Sequence, residues 1–453
     1  MENQIQNSTN SFLNWLNKSL TVKMAVIGFL ILVLLIPLAY VQSLIGERAQ
    51  RQQEVISEIN EKWGKEHIIS GPVLKIPYIK KTVTTYTDPN SKEIKNAVGS
   101  TVQYAYFLPD EFDGKSNLNV KTLQRSIYKS AVYEGNLTAT GKLATPDFKT
   151  EDIREEDIQW EKSTIIIQTS NLKGIKNNLS IRLGGRDLSL SPKFVELKGA
   201  GAQDLHSLET DYFDFRELDA KDFKFNLDFN GSEKFSLIPI AKQTRLNVQS
   251  NWASPSFTGE YLPKNESEKV TKDGFNANWN ILYYNRPFPQ QFFGDLPNLN
   301  EYSFGVNLLV PVDEYQKSER SAKYGYLIIT FTFLFFFLLQ AIAKIHVHPF
   351  QYLLVGLALV MFYTLLISIS EHSNFLKAYL IAGISVISLI TLYSVSVLKK
   401  RKFALLVAIS LAALYGFIYV IIQMENYALL AGSIGLFIIL GIVMFVSRKI
   451  EWK

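Results

Sequence analysis

The side chains that could do chemistry in this sequence are few, and they lie at the ends of apolar runs. Glu371 and His372 end one such run, and a carboxylate beside an imidazole can relay protons or sense pH. The other interpretation is an ordinary polar loop at a membrane interface, and the sequence leaves both open. We therefore treat Glu371 and His372 as candidate functional residues.

A second polar group precedes the same apolar run. His346 and His348 are two residues apart, just before Pro349. A helix does not place positions two apart on one face, so this spacing predicts a short turn rather than a metal site. A helix of about 22 residues separates His348 from His372 by roughly 33 Å, so the two imidazoles cannot share one site.

Motifs for catalysis or cofactor binding do not emerge from the sequence. The chain has no cysteine, which excludes disulfides, thiolate metal sites and a cysteine nucleophile. Gly135–Lys142 resembles a phosphate-binding loop, but the gap between its glycines is one residue too long and Leu143 replaces the Ser or Thr that would bind magnesium. We therefore predict no cofactor, no metal and no catalytic residue, and hence no enzyme.

The elements that must position Glu371 and His372 are membrane spans. Each of six uncharged runs is about 18–21 residues long, close to what a helix needs to cross about 30 Å of hydrocarbon. The runs are Met24–Val41, Tyr324–Ala343, Tyr352–Ile369, Ala378–Leu398, Phe403–Ile422 and Tyr427–Val446. A single anchor, a large water-soluble domain and five further spans therefore follow one another along the chain.

Orientation follows from the positive charge beside these runs. Lys and Arg cluster before the first span, after the second, between the fourth and fifth, and after the sixth, as in Lys399–Lys402. The positive-inside rule then places both termini in the cytoplasm and the large domain in the periplasm. The net charge of +5 belongs to these flanks, so nothing predicts a nucleic-acid partner.

The first span reads as an uncleaved anchor rather than a signal peptide. Its apolar stretch is longer than a usual signal-peptide core, and no small-residue cleavage site follows it. Glu47–Glu66 continues with apolar residues at helical spacing, which predicts one long helix leaving the membrane. Pro37 would kink this helix modestly.

The large domain alternates apolar and polar residues with a period of two, as in Phe223–Leu227 and Phe304–Leu308. This pattern is typical of antiparallel sheet with one buried face, and turn residues such as Asp88–Ser91 separate the runs. The fold class is therefore an integral membrane α-helical protein with six transmembrane helices and a large β-rich antiparallel periplasmic domain. An aromatic cluster at 283–293 predicts an irregular loop that either packs on the core or reaches toward lipid headgroups or a partner.

The predicted domain order combines these elements. A cytoplasmic tail (1–23) leads into a transmembrane helix (24–42). A periplasmic domain (43–323) follows, with a helical extension (43–66) and β structure (67–312). The chain ends with a membrane module (324–447) and a cytoplasmic tail (448–453), and the helices of this module lie at 324–343, 350–370, 377–398, 403–423 and 427–447.

The whole pattern resembles the CreD family of inner-membrane proteins associated with cell envelope integrity. The most specific stretch is His348–Tyr363, closing with Ser370–His372, and His348, Pro349 and Gln351 become candidates because they begin it. Supporting segments are Gly71–Pro77, Ser250–Gly259, Asp273–Phe275, Tyr315–Tyr324 and Glu47–Ala49. The resemblance implies a role in envelope integrity or stress, but it carries over no catalytic or binding residue. An additional polar N-terminal stretch of about 20 residues departs from the family and is predicted to be disordered.

Three function hypotheses follow. The first is a non-enzymatic inner-membrane protein whose outward β-rich domain binds an envelope component. The second is a transporter or lipid-handling protein that uses the C-terminal helices, and the third is an accessory sensor to a membrane two-component kinase. A hydrolase is the remaining alternative, and a clustered Ser, His and Asp or a pair of Glu residues in an outer cleft would favour it. The lipid bilayer is a predicted partner, together with an unidentified envelope component or membrane protein, and the oligomeric state is left open.

Overall fold

A computed structural model describes residues 20–87, 94–193, 205–264, 270–308, 310, 314–343, 345–424 and 427–448. The predicted turn at Asp88–Ser91, most of the N-terminal tail and the extreme C-terminal residues lie outside this part. The chain divides into a membrane unit, Met1–Glu54 with Val312–Lys453, and a β unit, Val55–Pro311.

Seven α-helices are described. They are α1 (Leu20–Trp63), α2 (Glu314–Lys323), α3 (Gly325–Ala343), α4 (Pro349–Ser370), α5 (Phe375–Leu398), α6 (Arg401–Gln423) and α7 (Ala428–Ser447). Among the described residues, all but the short, polar α2 are long and apolar enough to cross a membrane, which gives 6 candidate spans.

Helix α1 is 44 residues long and contains Pro37, so it is far longer than a bilayer requires. Its apolar first half belongs to the membrane unit and its polar last turns belong to the β unit. Gly356 of α4 allows α1 to pack closely, because a Cβ atom there would lie 2.1 Å from Leu34 Cδ1. A glycine at a helix crossing is a common device for close packing in membranes.

In its described residues, the β unit has sixteen strands in one continuous sheet. They are β1 (His67–Thr87), β2 (Ile94–Phe107), β3 (Glu111–Arg125), β4 (Tyr128–Lys142), β5 (Thr164–Thr169), β6 (Ser180–Leu183), β7 (Arg186–Lys193), β8 (His206–Thr210), β9 (Asp222–Ser232), β10 (Lys234–Leu237), β11 (Gln243–Ser250), β12 (Pro255–Gly259), β13 (Val270–Thr271), β14 (Gly274–Leu282), β15 (Gln291–Phe293) and β16 (Phe304–Leu308).

The strand order is β12-β16-β10-β1-β5-β8-β7-β6-β9-β4-β3-β11-β14-β13, with β2 pairing β1 and β15. Most pairs are antiparallel, but β1 with β10 and β3 with β11 are parallel. Alternation decides which face is buried: in β3 the buried positions include Phe112, Leu118 and Val120. Such residues from nearly all strands form one large apolar core.

The predicted fold class, six membrane helices with a β-rich and mainly antiparallel domain, is thus confirmed. The two parallel pairs join strands that are far apart in sequence, and the period-two pattern contains no information about them.

Candidate functional site

Glu371 lies directly after the last residue of α4, at a short turn that leads into α5. The turn is held locally: the Ser370 hydroxyl donates to the Ile367 carbonyl at 2.9 Å, and the Asn374 side chain accepts the Lys377 N–H at 3.0 Å. Asn is a preferred residue at the start of a helix, because its oxygen satisfies one of the free N–H groups there. This turn fixes the place of the Glu371 carboxylate.

The Glu371 carboxylate has two partners from other parts of the membrane unit. Arg48 of α1 forms an ion pair with Oε1 at 3.8 Å, and the Tyr315 hydroxyl of α2 donates to the same oxygen at 3.3 Å. The Glu371 side chain is 17% exposed, while that of Arg48 is 49% exposed. The ion pair is therefore partly open to water and contributes at most about 1 kcal/mol to stability. Tyr315, in contrast, is buried.

These two partners stand on the two segments through which the chain passes between its units. Arg48 precedes the boundary at Glu54, and Tyr315 follows the boundary at Pro311. One carboxylate therefore binds both connecting segments inside the membrane unit. We call Glu371, Arg48 and Tyr315 the junction triad.

The last turns of α1 are bound just as directly within the β unit. Glu58 pairs with Arg125, Asn60 accepts a bond from the Ser130 hydroxyl at 2.6 Å, and the Trp63 indole donates to the Tyr133 carbonyl at 3.2 Å. A single helix is thus anchored by specific side-chain bonds in both units.

His372 does not join the junction triad. It is exposed, and its backbone N–H donates to the Ile369 carbonyl at 3.1 Å. In the described part of the chain no hydrogen bond connects its imidazole to Glu371, so the arrangement does not show the proton-relay pair that we hypothesised from the sequence.

His348, Pro349 and Gln351 form the beginning of α4. The His348 Nδ1 atom accepts the Phe350 N–H at 3.2 Å, and the Gln351 side-chain oxygen accepts the His348 N–H at 2.9 Å. This reciprocal arrangement is a capping box, with Pro349 in the first turn where its missing N–H costs nothing. These three residues have a local structural role that explains their types and spacing, and α4 separates them from Glu371.

Sequence reasoning missed Arg48 and Tyr315. Both lie in segments that we matched to the CreD family, but neither position has a local pattern that predicts a partner. Groups of three or more His, Asp or Glu side chains that could hold a metal ion are not found among the described residues.

The aromatic segment at 283–293, predicted to be an irregular loop, is one only in part, because Gln291–Phe293 form β15 and pair with β2. Phe288 is buried, and Phe292 and Phe293 pack against apolar clusters of the β unit. Tyr284, in contrast, is 90% exposed and Tyr283 is 40% exposed. The loop therefore packs on the core through its phenylalanines and presents its tyrosines to the surroundings.

A buried histidine lies at the start of β1 in the β unit. His67 is fully buried, its Nδ1 atom is 3.3 Å from the Thr169 hydroxyl oxygen, and its ring centroid lies 4.7 Å from that of Phe229. Burial lowers the pKa of His67 to about 4, and the nearby Asn230 carbonyl opposes this shift only in part. His67 is therefore neutral at physiological pH.

Comparisons with known proteins agree with the membrane architecture. The family described as Inner membrane protein CreD matches residues 19–453. Inner membrane protein CreD of Escherichia coli (strain K12) is 29% identical over 424 residues, which cover 93% of this chain and 91% of that protein.

A solved structure from Legionella pneumophila, provisionally described as a nutrient binding protein, covers 49% of this chain and 73% of its own, at 10% identity and a TM-score of 0.22. A score this low does not establish a shared fold, so it says nothing about the β unit.

Proposed function

This chain belongs to the family of the inner membrane protein CreD, and on that premise we propose that it is a non-enzymatic protein that supports cell envelope integrity. Its β unit binds an envelope component on the periplasmic side. Its membrane unit anchors the protein in the inner membrane and responds to that binding by a mechanical or conformational change.

The junction triad is the observation that carries this proposal. A protein that only tethers a domain needs one apolar span. The described residues nevertheless include six candidate spans, and one carboxylate binds both connecting segments. The ion pair between Arg48 and Glu371 is weak, so it suits a contact that can rearrange more than one that holds the fold together.

The orientation is part of the proposal. Lys23 precedes the first span, Lys399–Lys402 separates α5 from α6, and Arg448 follows α7. The positive-inside rule puts these ends in the cytoplasm. Glu371 and the β unit are then periplasmic, where a binding domain meets envelope components.

Substitutions at the junction triad test the coupling. Glu371→Gln keeps the shape of the side chain but removes the charge that attracts Arg48. We expect tolerance of osmotic and detergent stress to fall toward that of cells lacking the protein, while abundance, membrane insertion and stability within about 1 kcal/mol stay unchanged.

Two further variants serve as controls. Glu319→Gln removes an exposed carboxylate on α2 that pairs with Lys323 at 2.8 Å, and it should leave tolerance normal. The exchanged pair Arg48→Glu with Glu371→Arg restores the attraction and should recover part of the tolerance. Normal tolerance in Glu371→Gln at equal abundance would refute the coupling role.

Crosslinking in living cells tests the binding role. A photo-reactive amino acid at Tyr284, which is 90% exposed, probes the aromatic loop, and one at Tyr212, which is 71% exposed, probes another surface of the β unit. We expect a reproducible product with a glycan, lipid or protein of the envelope from at least one position. If neither position gives a product above that of unirradiated cells, the binding role is refuted for both surfaces.

A further inference from the structure

Five neighbouring strands of the β unit, β14, β11, β3, β4 and β9, share one polar face. Their pairing registers place ten residues side by side in two adjacent rows across these strands. One row is Asn276, Gln249, Asn117, Asn136 and Asp228, and the next is Asn278, Asn247, Lys115, Thr138 and Asn226. All ten are exposed or half-buried, whereas the residue between the two rows in each strand is buried. We call these ten residues the amide face, because seven of them carry a primary amide.

The composition of the amide face is unusual for β structure. Asparagine is depleted in strands, where threonine is favoured, yet six of these ten residues are asparagine. Contact with water requires polar side chains but not amides, and threonine would meet that requirement with a better strand propensity. A local preference that is broken repeatedly on one surface is typical of a functional site.

Hydrogen bonds between strands hold several of these amides in place. The Asn247 side-chain nitrogen donates to Oδ1 of Asn276 and to Oδ1 of Asn278, both at 2.6 Å. The Asn136 nitrogen donates to Asn226 Oδ1 at 3.0 Å. These bonds leave the oxygen of Asn247 and the NH2 groups of Asn276 and Asn278 for other partners. The amide face is therefore a fixed array of donors and acceptors, which is what a specific polar site requires.

The charge of the amide face indicates an uncharged partner. Lys115 and Asp228 are its only charged residues, so its net charge is zero. In the adjacent row Arg245 pairs with Asp113, with Nη2 and Oδ2 2.8 Å apart, so the charges there also compensate one another. Nucleic acids and anionic lipid surfaces are bound through an excess of positive charge, which this face lacks.

The spacing of the amide face indicates an extended polymer. Neighbouring strands lie about 4.8 Å apart, so each row offers a side chain at this interval over a width of about 19 Å. One sugar residue of an extended β-1,4-linked glycan has nearly the same length as this interval. An acetamido group on such a sugar has one N–H and one C=O, and a primary amide can pair with both.

We propose that the amide face binds a chain of β-1,4-linked, N-acetylated sugars that lies across the five strands. The proposal rests on the proposed function, because it names the class of envelope component that the β unit binds. It assigns this binding to the amide face rather than to the exposed Tyr283 and Tyr284.

Co-sedimentation with insoluble polysaccharides tests the ligand class. Full-length protein in nanodiscs is mixed with chitin, the β-1,4-linked polymer of N-acetylglucosamine, or with cellulose, which has the same linkage but no acetamido group. Empty nanodiscs give the background. We expect chitin to retain the protein and cellulose to retain it only at background level. Equal retention by both polymers, or no retention by chitin, overturns the proposal.

Two threonine variants test the surface. Asn117→Thr and Asn247→Thr each remove one amide, one from each row, and replace it with a residue that strands favour. Each should weaken chitin binding about fivefold, which is the effect of one lost hydrogen bond. Each should also keep the thermal midpoint within about 2 °C of the wild-type value, so a folding defect would be visible.

The matched control is Asn307→Thr, at a half-buried asparagine of β16 that lies outside the amide face. It should bind chitin as the wild-type protein does. Wild-type binding in both Asn117→Thr and Asn247→Thr, or an equal loss in Asn307→Thr, overturns the assignment to this face.

Crosslinking at the exposed Lys115 tests the ligand in living cells. A photo-reactive amino acid there should give a product that lysozyme shortens, because this enzyme cleaves β-1,4-linked N-acetylated glycans. A product that protease removes and lysozyme leaves intact would assign the face to a protein partner and overturn the proposal.

Failure of this proposal is distinguishable from failure of the proposed function. A crosslinked envelope component at Tyr284 or Tyr212, together with no binding to chitin, refutes the glycan site and leaves the binding role of the β unit intact. Loss of chitin binding in the two threonine variants, with normal stress tolerance in cells, supports the glycan site and refutes its part in envelope integrity.

Discussion

The buried His67 makes the stability of the β unit depend on pH in a way that can be calculated. Its ring lies among Thr169 and Phe229 and is fully buried. Because protonation would place a charge in this apolar site, the pKa falls from 6.5 to about 4 in the folded state. In the unfolded chain the same imidazole titrates near its ordinary value.

The sign follows from proton binding. Between the folded pKa of about 4 and the unfolded value of 6.5, the unfolded state binds more protons than the folded state. The free energy of unfolding therefore rises with pH across this window and decreases as the pH falls through it. The full shift corresponds to about 3 kcal/mol. Between pH 7.5 and pH 5, His67 should therefore remove about 2 kcal/mol of stability.

Tryptophan fluorescence during urea unfolding of the full-length protein measures this effect. Four of the tryptophans, Trp63, Trp160, Trp252 and Trp279, lie in the β unit, so its unfolding dominates the signal. His67→Gln removes the titrating group. Between pH 7.5 and pH 5, the free energy of unfolding of the wild-type protein should fall by about 2 kcal/mol more than that of this variant.

The comparison of two pH slopes cancels the contributions of carboxylates, which titrate in both proteins. His206→Gln, which replaces an exposed histidine of β8, should keep the wild-type slope. If His67→Gln also keeps the wild-type slope, His67 is not held neutral by burial, and our account of the interior around β1 is wrong.

Three further predictions follow from the membrane unit. Reporter fusions at the C-terminus should show a cytoplasmic position and a fusion at Glu371 a periplasmic one, and a periplasmic C-terminus would contradict the proposed orientation. N-terminal sequencing of mature protein should find Met24–Val41 retained, whereas a start beyond this run would show cleavage. Gly356→Ala should destabilise the membrane unit by about 1–3 kcal/mol in nanodisc thermal unfolding, because the added Cβ atom would lie 2.1 Å from Leu34. The control variant Gly416→Ala should be neutral or stabilising, because a Cβ atom there would meet nothing within 4 Å.

Elements whose signals are local can be predicted from the order of the amino acids alone. Each membrane span follows from a run of apolar residues long enough to cross hydrocarbon, because a helix is the one local structure that satisfies its own backbone there. The β-rich class follows in the same way from alternation, since buried and exposed faces of a strand differ at every second residue. The capping box at His348 and Gln351 is also local, although we recognised the residues by family resemblance rather than by their role.

Sheet order was not determined by such signals. β1 pairs with β10 and β3 pairs with β11, in parallel and across long stretches of chain. Alternation specifies which side of a strand is buried, but it leaves the neighbouring strand undefined. The order depends on how all the buried faces fill one core, and only the folded chain shows that.

The junction triad also separates what local sequence predicts from what tertiary packing decides. The sequence indicated Glu371 because it ends an apolar run beside an imidazole, and it paired Glu371 with the adjacent His372. The structure instead gives it Arg48 and Tyr315, which are distant in sequence. Neighbours along the chain diverge at a helix end, whereas the packing of α1 and α2 brings remote side chains to the same carboxylate. Electrostatic and hydrogen-bond partners depend on distance in space, and that distance is set only when the helices pack.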